Sequence, residues 1–173
     1  MSPETIGSTP APIEIRRAER DDVAAVLGLI RELAAYEREP DAVVATEADL
    51  LRDGFDAVPP AFEIFVALSD GQIIGFAFYF FTYSTWNGRR CLYLEDVFVK
   101  PAYRGRGAGL ALMKALAKEA VDRECRRFVW QVLDWNQPAI DFYEKLGAKV
   151  HREWLTVRLE GDALAQFARV DPA

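Results

Sequence analysis

Residues 92–110 read LYLEDVFVKPAYRGRGAGL, and how this stretch is read decides the fold. It begins as an apolar strand, is interrupted by the adjacent carboxylates Glu95 and Asp96, and ends in a loop rich in glycine and arginine that leads into a helix. Strict alternation puts Leu92, Leu94, Asp96 and Phe98 on one face, and Tyr93, Glu95, Val97 and Val99 on the other. On that pattern the two carboxylates point in opposite directions. Each then needs water, a donor or a cation, because a lone buried carboxylate is costly.

The loop points to an anion. Gly105, Gly107 and Gly109 leave backbone N–H groups uncovered where a helix begins. The first N–H groups of a helix have no internal partner and carry the positive end of its dipole. Lys100, Arg104 and Arg106 add positive charge, so a phosphate or diphosphate is the expected ligand. No Gly-Lys-Ser/Thr follows, which excludes a Walker loop. The dinucleotide fingerprint would need glycine at Leu110 and a place in an early βαβ unit. What fits is R-x-x-G-x-G on Arg104, Gly107 and Gly109. Taken alone, that pattern is matched equally well by a glycine-rich helix entry with solvated arginines.

Outward from this stretch the elements alternate in type. IEIRR (13–17) reads as a strand, followed by a helix with the stripe Val23, Val26, Leu27, Ile30, Leu33 and Ala34. Residues 46–55 form a second helix, with Thr46 as cap, Asp49 three positions on, and Gly54 as its end. FEIFVAL (62–68) and QIIGFAFYFF (72–81) are strands joined at Ser-Asp-Gly, a hairpin turn. CLYLEDVFV (91–99) is the next strand, and a helix runs from Gly107 to about Arg123. RFVWQVL (127–133) reads as a buried strand. Asn136 caps a helix with Pro138 in its first turn, Gly147 after its end, and Ala139, Phe142 and Leu146 as core stripe, leaving Tyr143 at the margin. KVHREWLTVRL (149–159) reads as a long strand or a hairpin, and 162–168 as a short helix. The fold expected is α/β, with a mixed, largely antiparallel central sheet flanked by helices in a single domain. Residues 1–12 read as a disordered leader and 13–170 as the domain.

Composition limits the function classes. The chain has 173 residues, 51% hydrophobic and 28% charged, as in a soluble globular protein. A net charge of −6 argues against nucleic-acid binding and permits a cationic partner. No apolar run is long enough for a bilayer, and the N-terminus lacks the pattern of a signal peptide. Cys91, Cys125 and the single His151 have no metal-ligand spacing, so no metal is expected and the thiols read as reduced groups in a cytoplasmic protein.

The blocks IRELAAYE (30–37), TEADLLRDGF (46–55), GFAFYFFTYSTW (75–86), LYLEDVFVKPAYRGRGAG (92–109) and WNQPAIDFYEKLGA (135–148) together resemble the GNAT superfamily of acyl-CoA-dependent N-acyltransferases. Within it they are similar to the spermidine/spermine (diamine) and thialysine acetyltransferase group. The resemblance implies the GNAT fold, acetyl-CoA as co-substrate, a primary amine of a small cationic substrate as acceptor, and a homodimer. It implies roles as well. The backbone of Val97, Phe98 and Val99 would pair with the pantetheine arm like an added strand. Arg104, Gly105, Arg106, Gly107, Ala108, Gly109 and Leu110 would hold the diphosphate, and Asn136 would touch the coenzyme. Tyr143 stands at the general-acid position and Glu95 at that of the carboxylate that helps deprotonate the amine. Tyr36, Glu37, Trp86 and Asp96 match positions lining the amine channel. Trp154 matches a tryptophan that the family supplies from the partner subunit. The region AKVHREWLTVRL is shorter than in the polyamine enzyme, and only Glu153 adjoins Trp154. An acetyltransferase of protein lysines or N-termini, and a non-catalytic acyl-CoA-binding module, are the alternative readings.

Overall fold

The computed structural model describes residues 11–169, so the expected leader lies, apart from its last two residues, outside the described residues. The chain divides into two compact units, residues 1–131 and 132–173.

The first unit is built on a five-stranded sheet in the order β1-β2-β3-β4-β5. Its strands are β1 (Glu14–Arg17), β2 (Glu63–Ser69), β3 (Gln72–Ser84), β4 (Arg89–Val99) and β5 (Arg127–Trp130). The pairs are antiparallel up to β4, and β5 joins β4 in parallel. The helices are α1 (Val23–Tyr36), the short α2 (Glu47–Leu51) and α3 (Ala108–Asp122). Thr46 caps α2 as expected, its hydroxyl accepting from the Asp49 N–H while the Asp49 carboxylate accepts from the Thr46 N–H. The helical path does not stop at Gly54; it widens into a five-residue turn over Arg52–Asp56.

The apolar stripe of α1 packs through Val26, Leu29 and Leu33 on Ile64, Val66, Leu68, Phe76 and Phe98 of the sheet. Gly75 lets β3 and β4 approach, since a Cβ there would stand 2.7 Å from the Phe98 carbonyl oxygen. An ion-pair network ties β1, β2, β3 and α3 together. Arg17 bonds Glu63 and Glu119, with 2.7 Å to the latter, and Arg123 reaches the same two carboxylates at 3.0 and 2.9 Å. Arg17 also donates to the fully buried Tyr79 hydroxyl at 2.9 Å. Each member has a partner, which such desolvated charges need.

The register between β3 and β4 departs from simple alternation. Phe78 faces Asp96, but the next residue, Tyr79, faces Leu94, so Glu95 has no opposite number. This is a β-bulge. Phe78 and Tyr79 lie on opposite faces of β3, so Asp96 and Leu94 lie on opposite faces of β4. Leu92, Leu94, Asp96 and Phe98 therefore do not share a face: the extra residue moves Asp96 and Phe98 to the α1 side and leaves Leu92 and Leu94 on the other.

β5 is shorter than the sequence suggests and ends at Trp130, its residues alternating between exposed and half-buried. Its pairing with β4 stops at Leu94 opposite Trp130, and β4 runs five residues further with nothing from β5 beside it.

The second unit holds α4 (Gln137–Lys145) and α5 (Gly161–Phe167). Asn136 caps α4, its side-chain oxygen accepting from the Ala139 N–H at 3.4 Å, with Pro138 in the first turn and Gly147 in the left-handed conformation beyond the end. The buried residues of α4 are Ile140 and Tyr143, whereas Leu146 is exposed, so Tyr143 belongs to the packed face and not to its margin. The strand expected over 149–159 is not formed. Residues 151–159 are exposed throughout, and an isolated extended segment has no edge on which to build a ladder.

Candidate active site

The glycine loop leaves β4 through a single 3₁₀ turn, Pro101–Tyr103, and enters α3 at Gly107. Gly105 and Gly107 have φ of 75° and 88°, the left-handed region that suits glycine. The Ala111 N–H bonds the Gly107 carbonyl at 2.9 Å, so the N–H groups of Ala108, Gly109 and Leu110 precede the first intrahelical bond. A Cβ on Gly105, Gly107 or Gly109 would meet nothing within 4 Å, so the space over the loop is open. No acidic residue occupies the first turn of α3 to take up those N–H groups. Backbone donors, dipole and space thus fit an anionic group the size of a diphosphate.

The basic side chains around the loop are committed elsewhere. The Arg104 Nε donates to the Val99 carbonyl at 3.0 Å, and its guanidinium lies over the rings of Tyr36 and Phe98, 4.8 and 5.5 Å from their centroids. Arg106 donates to the Ser69 hydroxyl and the Ala11 carbonyl at 3.2 and 3.0 Å and lies over Tyr103. Lys100 stands 3.8 Å from Glu32. Sequence reading missed Ser69 and Glu32. Ser69 opens the Ser-Asp-Gly turn and Glu32 lies on the polar face of α1, and neither place hints at a partner so far along the chain.

Next to the loop, β4 offers an open edge. The Lys100 N–H donates to the Ile74 carbonyl at 2.9 Å. Antiparallel alternation then turns the polar groups of Phe98 toward β3 and those of Val97 and Val99 away from it, toward the side β5 leaves free. Of the three residues expected to offer their backbone, Val97 and Val99 are aimed outward. The Val99 carbonyl already holds Arg104.

Beside this edge three carboxylates gather. Asp96 is half-buried, and burial, reinforced by the charges of Glu95 and Glu37, pushes its pKa up to about 6. Partial burial likewise raises Glu37, at the C-terminal end of α1. Glu95, in the bulge, is exposed. Opposite-charge partners would lower Asp96 and Glu37, and the upward direction of both goes with a negative cluster without a counter-charge. Tyr36, exposed at the end of α1, adds a ring beside it in sequence.

The remaining expected residues lie elsewhere. Trp86 is 85% exposed in the β3–β4 turn. Ser84 pairs with Arg89 and Phe78 with Asp96, so six residues of β3 separate the turn from the carboxylates. That is about 20 Å along a strand. Asn136 and the buried Tyr143 belong to α4 of the second unit, and Trp154 is 73% exposed in its extended segment. Among the described residues no group of three or more His, Cys, Asp or Glu could hold a metal ion.

Comparison with known proteins agrees with this arrangement. The Acetyltransferase (GNAT) family matches residues 27–148. The thialysine N-epsilon-acetyltransferase of Sus scrofa is 42% identical over 91% of this chain and 98% of its own. The L-ornithine N5-acetyltransferase of Arabidopsis thaliana is 32% identical over 91% and 88%. Among solved structures, an integron cassette protein from the mobile metagenome of V. cholerae superposes with a TM-score of 0.76 at 29% identity, over 91% of this chain and 98% of that one. A helix that opens on glycine beside a free strand edge, a match over two thirds of the sequence, and relatives aligned along nearly their whole length lead to one conclusion: the chain belongs to the acetyltransferase (GNAT) family and is an N-acetyltransferase.

Proposed function

We propose that this protein transfers an acetyl group from acetyl-CoA to a primary amine of a small cationic substrate, a polyamine, a diamine or a thialysine-, lysine- or ornithine-like amino acid. Attack is direct, within a ternary complex. The observation that carries this reading is the uncompensated cluster of Glu37, Glu95 and Asp96 beside the open edge of β4. A substrate with a second positive charge would supply the missing counter-charge while its reacting nitrogen is neutral.

The residues divide the work. The N–H groups of Ala108, Gly109 and Leu110 hold the diphosphate, and the outward groups of Val97 and Val99 align the pantetheine arm as a strand neighbour. Acetyl-CoA supplies an activated thioester. An alkylammonium has a pKa of about 10.4, so the acceptor arrives protonated at neutral pH. Glu95, exposed in the bulge, takes that proton directly or through water, and such help is worth ~10²–10⁴-fold. Asp96 and Glu37 hold the distal ammonium. Tyr143, in the position the resemblance gives to the general acid, returns a proton to the departing thiolate.

A homodimer is part of the same proposal. Leu155, Val157 and Leu159 alternate along an exposed segment that forms no strand, and the outer edge of β5 has no neighbour in the sheet. A strand contributed by a second copy would satisfy both and would carry Trp154 with it. The two free cysteines, Cys91 and Cys125, accord with a reducing cytoplasm.

The test is a thiol-release assay with acetyl-CoA against thialysine, ornithine, lysine, putrescine, spermidine and a lysine-containing peptide. Release with the diamines and basic amino acids is expected. Release with the peptide alone would reassign the acceptor to protein, and release with none would leave only a coenzyme-binding module.

A further inference from the structure

The end of the sheet farthest from the glycine loop carries a second concentration of charge, of the opposite sign to the chain as a whole. Arg89 and Arg90 begin β4, Arg123 follows α3, and Arg126 and Arg127 lead into β5. The Arg126 N–H donates to the Arg90 carbonyl at 3.0 Å, which fixes the two backbones side by side. A cavity of about 290 Å³ opens here, lined by Tyr83, Gly88, Arg89, Arg90, Arg123 and Glu124. The rest of β4, residues 91–99, separates it from the glycine loop, a span of about 30 Å.

The five guanidiniums are not equally committed. Arg123 is balanced by Glu63 and Glu119 in the network it shares with Arg17. The Asn87 amide, with its oxygen toward Arg127, accepts from that guanidinium at 2.8 and 3.0 Å without neutralising it. Arg89 has only Glu124, at 3.9 Å, and both are exposed. Arg90 and Arg126 have no side-chain partner among the described residues. The C-terminus of α3 contributes roughly half a negative charge and Glu124 a full one. An excess of about two positive charges remains on a protein whose net charge is −6.

We infer that this cavity binds a small phosphorylated anion, with Arg89 and Arg90, which line it, as its principal ligands. Guanidinium forks match phosphate oxygens two at a time, and a phosphate monoester or diphosphate carries about the charge the site lacks. The Tyr83 ring, 67% exposed on the rim, offers a face and a hydroxyl to the rest of the molecule. Arg89, Arg90 and Arg123 line one pocket, which suits a small ligand better than a nucleic-acid backbone that the acidic remainder would repel.

The full-length protein, labelled with ¹⁵N, is titrated with inorganic pyrophosphate at constant ionic strength. Residue-resolved amide shifts separate this site from the glycine loop, where pyrophosphate binds as well. Saturable shifts are expected for Gly88–Cys91 and Glu124–Arg127, and Arg89→Gln with Arg90→Gln should weaken them at least tenfold. The shifts of Gly105–Leu110 and the spectrum of the unliganded variant's core should stay as in the parent. Absence of saturation at these amides by about 10 mM, where binding is negligible on the affinity scale, overturns the inference. So does equal affinity in the double variant.

Discussion

Replacing Asp96 by Asn tests the acceptor site through folding. The carboxyl has a pKa of about 6 in the folded chain against 3.8 for the free group. Between those values the folded protein retains a proton that the unfolded chain has released. Stability contributed by this group therefore falls as pH rises through the window, and above it the folded state bears the full cost of the buried charge. The gap of about two units corresponds to about 3 kcal/mol at most. Asn has the same shape and no charge, so Asp96→Asn should be the more stable protein at pH 8, by about 1–3 kcal/mol, and little different at pH 4. Urea unfolding at pH 4, 6 and 8 reads this directly. With a slope of about 2 kcal/mol per molar urea, the midpoint should rise by about 0.5–1.5 M at pH 8. A saturating diamine should raise the wild-type midpoint at pH 8 and leave that of the variant nearly unchanged. A variant no more stable than wild type at pH 8, or one with the same pH dependence, refutes the reasoning that the cluster lacks a counter-charge.

Three further outcomes are expected on the proposed roles. Tyr143→Phe should lower kcat by about 10²–10⁴ with little change in the affinity for acetyl-CoA, measured by single-turnover thiol release. Gly107→Ala and Gly109→Val should separate strain from occlusion. The former, at φ 88°, should cost about 1–2 kcal/mol in denaturant unfolding. The latter should fold normally, since the Cβ it adds meets nothing within 4 Å, yet lose at least tenfold in coenzyme A affinity by calorimetry. Gly75→Ala puts a methyl 2.7 Å from the Phe98 carbonyl and should destabilise by about 1–3 kcal/mol, read as a lowered Tm.

The sequence made the antiparallel run, the helix opening on Gly107 and the cap at Thr46 legible, because each has a local cause: alternation, a left-handed glycine, a hydroxyl three residues before a carboxylate. It does not reveal what depends on distant partners. The bulge at Glu95 is invisible to periodicity, since only the register of β3 reveals that a residue is unpaired. Leu155, Val157 and Leu159 have a strand pattern, but a strand also needs an edge, and the sequence does not say which chain supplies it. The arginines of the loop read as anion ligands by proximity. In the structure Arg104 is held by a carbonyl and two rings, and Arg106 by Ser69, partners the sequence does not reveal. The resemblance groups Trp86 with Asp96, but a hairpin of extended residues carries Trp86 to the opposite end of the sheet.

The unpaired residue at Glu95 also sets which way the rest of this strand faces. Were Glu95 drawn into the ladder opposite Phe78, everything beyond it would slip by one residue and swing through half a turn. Phe98 would leave the hydrophobic seat it occupies against Val26 and Leu33, and the open edge would present the opposite set of amides. Loss of Glu95 altogether would instead leave Leu94 opposite Tyr79 and Asp96 opposite Phe78, so the core should outlive it while the proposed base is gone.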